Sequence, residues 1–164
     1  MLSRRDHALR TAIACWAGGS LLLLSLAGCE SAIRPPDDVR TGTIHGRVEY
    51  LNVWPPENEV RDLRFVALPF VPRDSTDILR INDLVASSRL TYGVNSESFV
   101  VVGVPAGTYP FSGIARQRTE DLLSWEAIGL YTDDEGVFEV SEDEVVDLVI
   151  LVDFNHPPDV PWGD

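Results

Sequence analysis

The residues able to do chemistry are few: two cysteines, three histidines, two acidic clusters and four tryptophans. The histidines, His7, His45 and His156, lie far apart, and no Gly-x-Ser-x-Gly elbow, His-Glu-x-x-His pair or Gly-rich phosphate loop surrounds them. A Ser-His-Asp arrangement built on His45 stays open, because folding can bring any serine beside it. Without a motif the expectation is a protein that is not an enzyme and needs no cofactor. Asp133, Asp134 and Glu135, and then Glu142, Asp143 and Glu144, are candidate Ca²⁺ ligands, since that ion takes several carboxylate oxygens. Neither cluster has Asp-x-Asp-x-Asp-Gly spacing, and solvated turns account for both. Trp125 falls among apolar period-two neighbours and is expected in the core. Trp54, in a Pro-rich loop, and Trp162, in the C-terminal tail, are candidate contacts for a partner protein or a sugar.

The two cysteines point elsewhere. Arg4, Arg5 and Arg10 precede 19 uncharged positions, 11–29, which include Leu21 to Leu24. A basic n-region followed by an apolar h-region is the pattern of a bacterial export signal. Ser3-Arg4-Arg5 hints at a twin-arginine signal, but His7 stands where that motif has Phe. The stretch ends in Leu26-Ala27-Gly28-Cys29, which resembles the lipobox of bacterial lipoproteins. The resemblance implies cleavage before Cys29, diacylation of its sulfur and acylation of the new N-terminus. Two or three acyl chains anchor stably where one does not. A plain transmembrane helix is the competing reading of the same stretch. Glu30 is not the Asp that in some such lipoproteins favours retention in the inner membrane, so the resemblance leans toward the outer membrane.

Cleavage would change the arithmetic. The whole chain of 164 residues carries 13 Arg, no Lys and 26 acidic residues, a net −13. Residues 1–28 hold three Arg and one Asp, so the remainder has 10 basic and 25 acidic residues. Such a surface excludes nucleic acid, whose phosphates demand clustered cations. With Cys15 removed and Cys29 acylated, no disulfide is left, and an apolar core alone must stabilise the domain.

Those side chains must be placed by strands. Ser31 to Thr41, with Pro35-Pro36-Asp37-Asp38, reads as a flexible tether. From Gly42 onward the hydrophobic period is two. Ile44, Gly46, Val48 and Tyr50 share one face, as do Tyr109, Phe111, Gly113 and Ala115, then Trp125, Ala127, Gly129 and Tyr131, then Val146, Leu148, Ile150, Val152 and Phe154. Phe99 to Val104 is apolar without alternation and stops at Pro105-Ala106-Gly107. Seven strands are predicted, over 43–51, 62–70, 98–104, 108–116, 124–131, 136–140 and 144–154. Ile78, Ile81, Leu84 and Val85 have the spacing of a short helix across 75–86, with Asp74, Ser75 or Asp77 as N-cap. Short strands without helical crossovers imply an all-β fold, an antiparallel β-sandwich.

Gly42-Thr43-Ile44-His45-Gly46-Arg47-Val48, Phe99 to Tyr109 with its Pro105-Ala106-Gly107-Thr108-Tyr109 turn, and the strand from Val145 to Phe154 resemble the carboxypeptidase regulatory-like domains. The resemblance covers roughly 42–154, leaving 155–164 as a Pro-rich tail. It implies a transthyretin-like (prealbumin-like) sandwich, an accessory fold without catalytic residues. The link from Pro72 to Leu90 is longer than the usual one, which leaves the strand order there open. The combined expectation is a lipid-anchored, non-catalytic module of the cell envelope that binds or scaffolds an envelope protein or polysaccharide. A structural spacer and an envelope hydrolase are the alternatives.

Overall fold

The structure, a computed structural model, describes residues 39–74, 77 and 81–160. The export signal with Cys29, most of the tether, Trp162 and part of the expected 75–86 helix therefore lie outside the described residues.

Nine strands run in chain order: β1 (Thr41–Leu51), β2 (Asp62–Leu68), β3 (Val85–Ala86), β4 (Ser96–Pro105), β5 (Gly107–Tyr109), β6 (Phe111–Gln117), β7 (Trp125–Leu130), β8 (Phe138–Val140) and β9 (Val145–Asp153). They form one sheet ordered β4-β1-β9, a second ordered β3-β2-β6-β7, and a small β5-β8 pair. The all-β sandwich is as expected, and among the described residues no helix reaches seven residues. One pairing departs from a wholly antiparallel scheme: β9 lies parallel to β1, with Thr43 opposite Val145 and Leu51 opposite Asp153.

The core sits between the sheets because successive side chains of a strand point to opposite faces, one of them inward. Ile44, Val48 and Tyr50 of β1 and Leu148, Ile150 and Val152 of β9 are buried, as the period-two reading requires. Across from them Leu63, Phe65 and Ala67 come from β2 and Ile114 from β6. The rings of Phe65 and Phe99 stack across the sandwich at 4.9 Å. Each fully buried side chain of this size contributes about 1.5–3 kcal/mol. Tyr109, Phe138 and Val140 bring the β5-β8 pair into the same core.

Three local expectations are corrected. Ile81–Asp83 is a single 3₁₀ turn, and Val85 belongs to β3, paired antiparallel with β2, so the described part of 75–86 is not an α-helix. Pro110 separates β5 from β6, and β6 is buried on both faces: Ile114 joins the cluster between the sheets, while Phe111, Gly113 and Ala115 on the other face are buried as well. In β7 the register shifts opposite Ile114/Ala115, so that Ile128 is an extra residue and points into the core, while Trp125 is only half-buried. A bulge of this kind reverses the alternation that the sequence pattern assumes.

The two edges of the sandwich differ. On one side β7 closes on β9, where a β-carbon at Gly129 would stand 2.6 Å from the Leu151 carbonyl oxygen. On the other side lie β4, the last strand of its sheet, and β3, only two residues long. That side is open.

Candidate functional site

A groove of about 400 Å³ runs along the open side, between Leu84, Val85 and Ala86 on one lip and Val101 to Gly107 on the other. Tyr109 lies at its floor, with its hydroxyl donating to the Pro105 carbonyl at 2.8 Å. The Pro105-Ala106-Gly107 turn, legible in the sequence as a strand break, thus forms part of the groove's rim. Arg40 holds that end, its carbonyl accepting from the Ala106 amide at 2.8 Å.

Among the described residues the backbone of β4 is bonded along one side only. The Tyr50 amide donates to the Asn95 carbonyl at 2.9 Å, which sets the phase of the β1–β4 ladder. Because bonded and non-bonded pairs alternate in an antiparallel ladder, Glu97, Phe99 and Val101 bond to β1. The N–H and C=O groups of Ser98, Val100 and Val102 point the other way, off the edge of the sheet. Beyond them Gly103, at φ +69°, is the extra residue of a bulge opposite Gly42/Thr43. Glu97 at the strand's start is held by Thr91, accepting from its amide at 2.6 Å and its hydroxyl at 3.0 Å.

The outer face of the β4-β1-β9 sheet is unusually aliphatic. Val100 is 54% exposed, Val102 75% and Leu151 55%, with Val145 and Val149 about half exposed beside them. The sequence concealed this, since an unbroken apolar run such as 99–104 has no period to show which residues face out. The centre of the face is polar. His45 stands between Val100 of β4 and Asp147 of β9, its Nδ1 3.9 Å from the Asp147 carboxylate, and Ser98 lies diagonally across on β4. All three line a shallow depression of about 330 Å³. At 3.9 Å the His45–Asp147 contact is an ion pair at most and not a hydrogen bond.

Trp54 is placed differently from a free contact residue. It is half-buried, its indole N–H donates to the Val94 carbonyl at 3.0 Å, and its ring packs against Tyr50 (4.4 Å), Phe154 (4.7 Å) and Tyr92 (5.0 Å). Tyr92 in turn donates to the Pro55 carbonyl at 2.7 Å. The Pro-rich loop folds over the end of the core, and its indole packs against three aromatic rings. Burial and the nearby Glu97 charge raise the pKa of the Tyr50 hydroxyl far above its ordinary value, and that hydroxyl has no hydrogen-bond partner.

Asp133, Asp134 and Glu135 form a tight 3₁₀ turn in which Asp134 (φ 48°) and Glu135 (φ 61°) take left-handed conformations. Asp134 accepts from the Tyr131 hydroxyl at 3.4 Å. Among the described residues no three His, Cys, Asp or Glu side chains converge as a metal site would need. Also among them, no helix is long and apolar enough to cross a membrane.

No protein-family model, no curated protein and no solved structure matches this chain.

Proposed function

We propose that the chain is a lipid-anchored, non-catalytic β-sandwich module of a bacterial cell envelope, held at the membrane through Cys29, that binds or scaffolds another envelope component. The observation that carries the binding role is the open side of the sandwich, where an aliphatic strand edge lies next to a groove lined by aliphatic side chains together with Asn82 and Asp83. Exposed aliphatic clusters on a soluble domain mark contact surfaces more often than not. The same observation favours a protein over a polysaccharide. Sugars are gripped by exposed aromatic faces, and Trp54 spends its ring and its N–H inside the domain, whereas the exposed large side chains of the sheet are valine and leucine. The location rests on Leu26-Ala27-Gly28-Cys29 and the basic and apolar regions before it.

Two experiments test this reading. Cys29→Ser must abolish incorporation of labelled palmitate and block processing, and unchanged labelling would refute the anchor. The protein used as bait in detergent-solubilised envelopes must capture a saturable partner, and a spacer lipoprotein would capture none. A hydrolase is the second reading, and the placement of Ser98, His45 and Asp147 on one face favours it. An envelope esterase or peptidase activity that disappears in His45→Ala would establish that reading, and one that survives the substitution would end it.

A further inference from the structure

We propose that the free edge of β4 takes up an extended segment of a partner protein as a fourth strand of its sheet, with alternate aliphatic side chains of that segment seated in the groove between β4 and β3. The inference deepens the binding role proposed above and rests on it, but it does not depend on the lipid anchor.

Three observations meet at this edge. First, Ser98, Val100 and Val102 direct their backbone N–H and C=O groups outward in one row, which is the template that strand addition uses. Natural edges are commonly blunted by lysine, by inward charge or by proline. Here the row carries none of these before the Gly103 bulge and Pro105. Second, a strand laid against that row would point every other side chain into the apolar space bordered by Leu84, Val85, Val101 and Val104. At about 400 Å³ that space has room for several branched aliphatic groups. Third, the charge pattern is specific. From Ser98 to Ala115 no residue is charged, while Glu97 stands at one end of the edge, Asp83 lines the facing lip and the whole chain is at −13. The complementary segment is therefore uncharged and aliphatic in its middle and basic at its ends.

These observations also choose among occupants. A second copy could pair its own β4 with this one, but its Phe99 and Val101 are already packed in its own core and would leave the groove empty. A bilayer would leave the outward N–H and C=O groups without hydrogen-bond partners.

The test uses the full chain in detergent micelles and a synthetic nine-residue peptide of alternating valine and threonine with an arginine at each end. Fluorescence anisotropy should show saturable binding. Amide hydrogen exchange should slow roughly tenfold at Ser98, Val100 and Val102, and remain unchanged at Phe99 and Val101, which already bond to β1. Val100→Pro removes one outward N–H without touching the β1 ladder, so it should keep the wild-type melting temperature and lose the peptide. Should that variant fail to fold, two peptides N-methylated along opposite edges make the same distinction on the wild-type chain, because only one of them can still pair with β4. Absence of saturable binding, binding that leaves those three amides unprotected, or equal binding of the two methylated peptides would overturn the proposal. So would a dimer in sedimentation that Val100→Pro dissociates, which would assign the edge to a second copy. Peptide binding requires no lipid, so its failure is separable from a failure of palmitate labelling in the Cys29 experiment.

Discussion

The ring of Phe99 on β4 lies directly over Gly46 on β1, its cross-strand partner, so closely that a β-carbon at Gly46 would stand 2.0 Å from Cζ of the ring. The glycine supplies the space and the aromatic side chain fills it, and the same ring then stacks on Phe65 of the opposite sheet. Gly46→Ala should lower unfolding free energy by about 2–3 kcal/mol, because the ring is wedged between two sheets and cannot retreat. Chemical denaturation of the single variant and of Gly46→Ala with Phe99→Leu tests this, since the smaller side chain should recover part of the loss. A single variant as stable as wild type would contradict the close packing.

Tyr50 invites the opposite substitution. Its hydroxyl is buried with no hydrogen-bond partner, while its ring packs against Trp54 and Phe154. Deleting an unsatisfied buried hydroxyl removes a desolvation cost without opening a cavity of any size. Tyr50→Phe is expected to leave stability unchanged or to raise it by up to about 1 kcal/mol. A loss greater than that in equilibrium unfolding would mean the hydroxyl has a partner in solution.

Three tyrosines should make the domain sensitive to alkali. Burial raises the pKa of Tyr50, Tyr109 and Tyr131 above the ordinary value of 10.0, with the Glu97 charge adding to the effect at Tyr50 and the Asp134 and Asp133 charges adding to it at Tyr131. Raised values mean that the folded state favours the neutral phenols. Their contribution is complete below pH 10, where both states are neutral, and is lost as pH rises above it and the unfolded phenols ionise first. Urea midpoints on the alkaline side should hold steady toward pH 10 and fall beyond it. Absorbance near 295 nm should show Tyr50 ionising only as the fold is lost.

Arg116 is held mostly inside the domain, its side chain 13% exposed, and both Nε (2.7 Å) and Nη2 donate to one oxygen of Glu126 on the neighbouring strand. Glu126→Ala would strand the guanidinium beside half-buried surface. A cost of about 2 kcal/mol is expected, with solvent reaching Glu126 keeping it from being larger. A double-mutant cycle with Arg116→Met should show that the loss depends on the pair, and additive effects would refute the coupling.

The acidic turn at 133–135 should ignore calcium. Its backbone is already fixed by two consecutive left-handed residues, and Asp134 is engaged with the Tyr131 hydroxyl. Thermal midpoints in millimolar Ca²⁺ and in EDTA are expected to coincide, and a rise with Ca²⁺ would identify a site.

How far the fold could be read in the sequence depended on whether a strand has one wet face. β1 alternates apolar and polar residues, and its buried set matched residue by residue; in β9 Leu148, Ile150 and Val152 are buried as expected, with Val146 and Phe154 partly so. β4 did not declare itself, because Val100 and Val102 are as apolar as Val101 although they point outward. β6 is buried on both faces where the pattern showed one, and in β7 the bulge at Ile128 turns inward a residue that a periodic pattern cannot pick out. Alternation says which face a strand buries and nothing about its neighbour, so the parallel placement of β9 against β1 was invisible. The groove was equally hidden, being made by two strands separated in the chain. Trp54 shows the limit from the other side. An indole among prolines looked exposed, and only the distant Tyr92 and Phe154 make it part of the interior.

The parallel pairing of β1 with β9 bears on the order of events in synthesis. Asn52 and Asp153, hydrogen-bonded to each other at the ends of these two strands, are 101 positions apart. The middle strand of the β4-β1-β9 sheet thus lacks one whole side until residues 145–153 exist, and closing so large a loop is slow. A chain still being made has no finished sheet. It can complete its core only once the last strand has arrived.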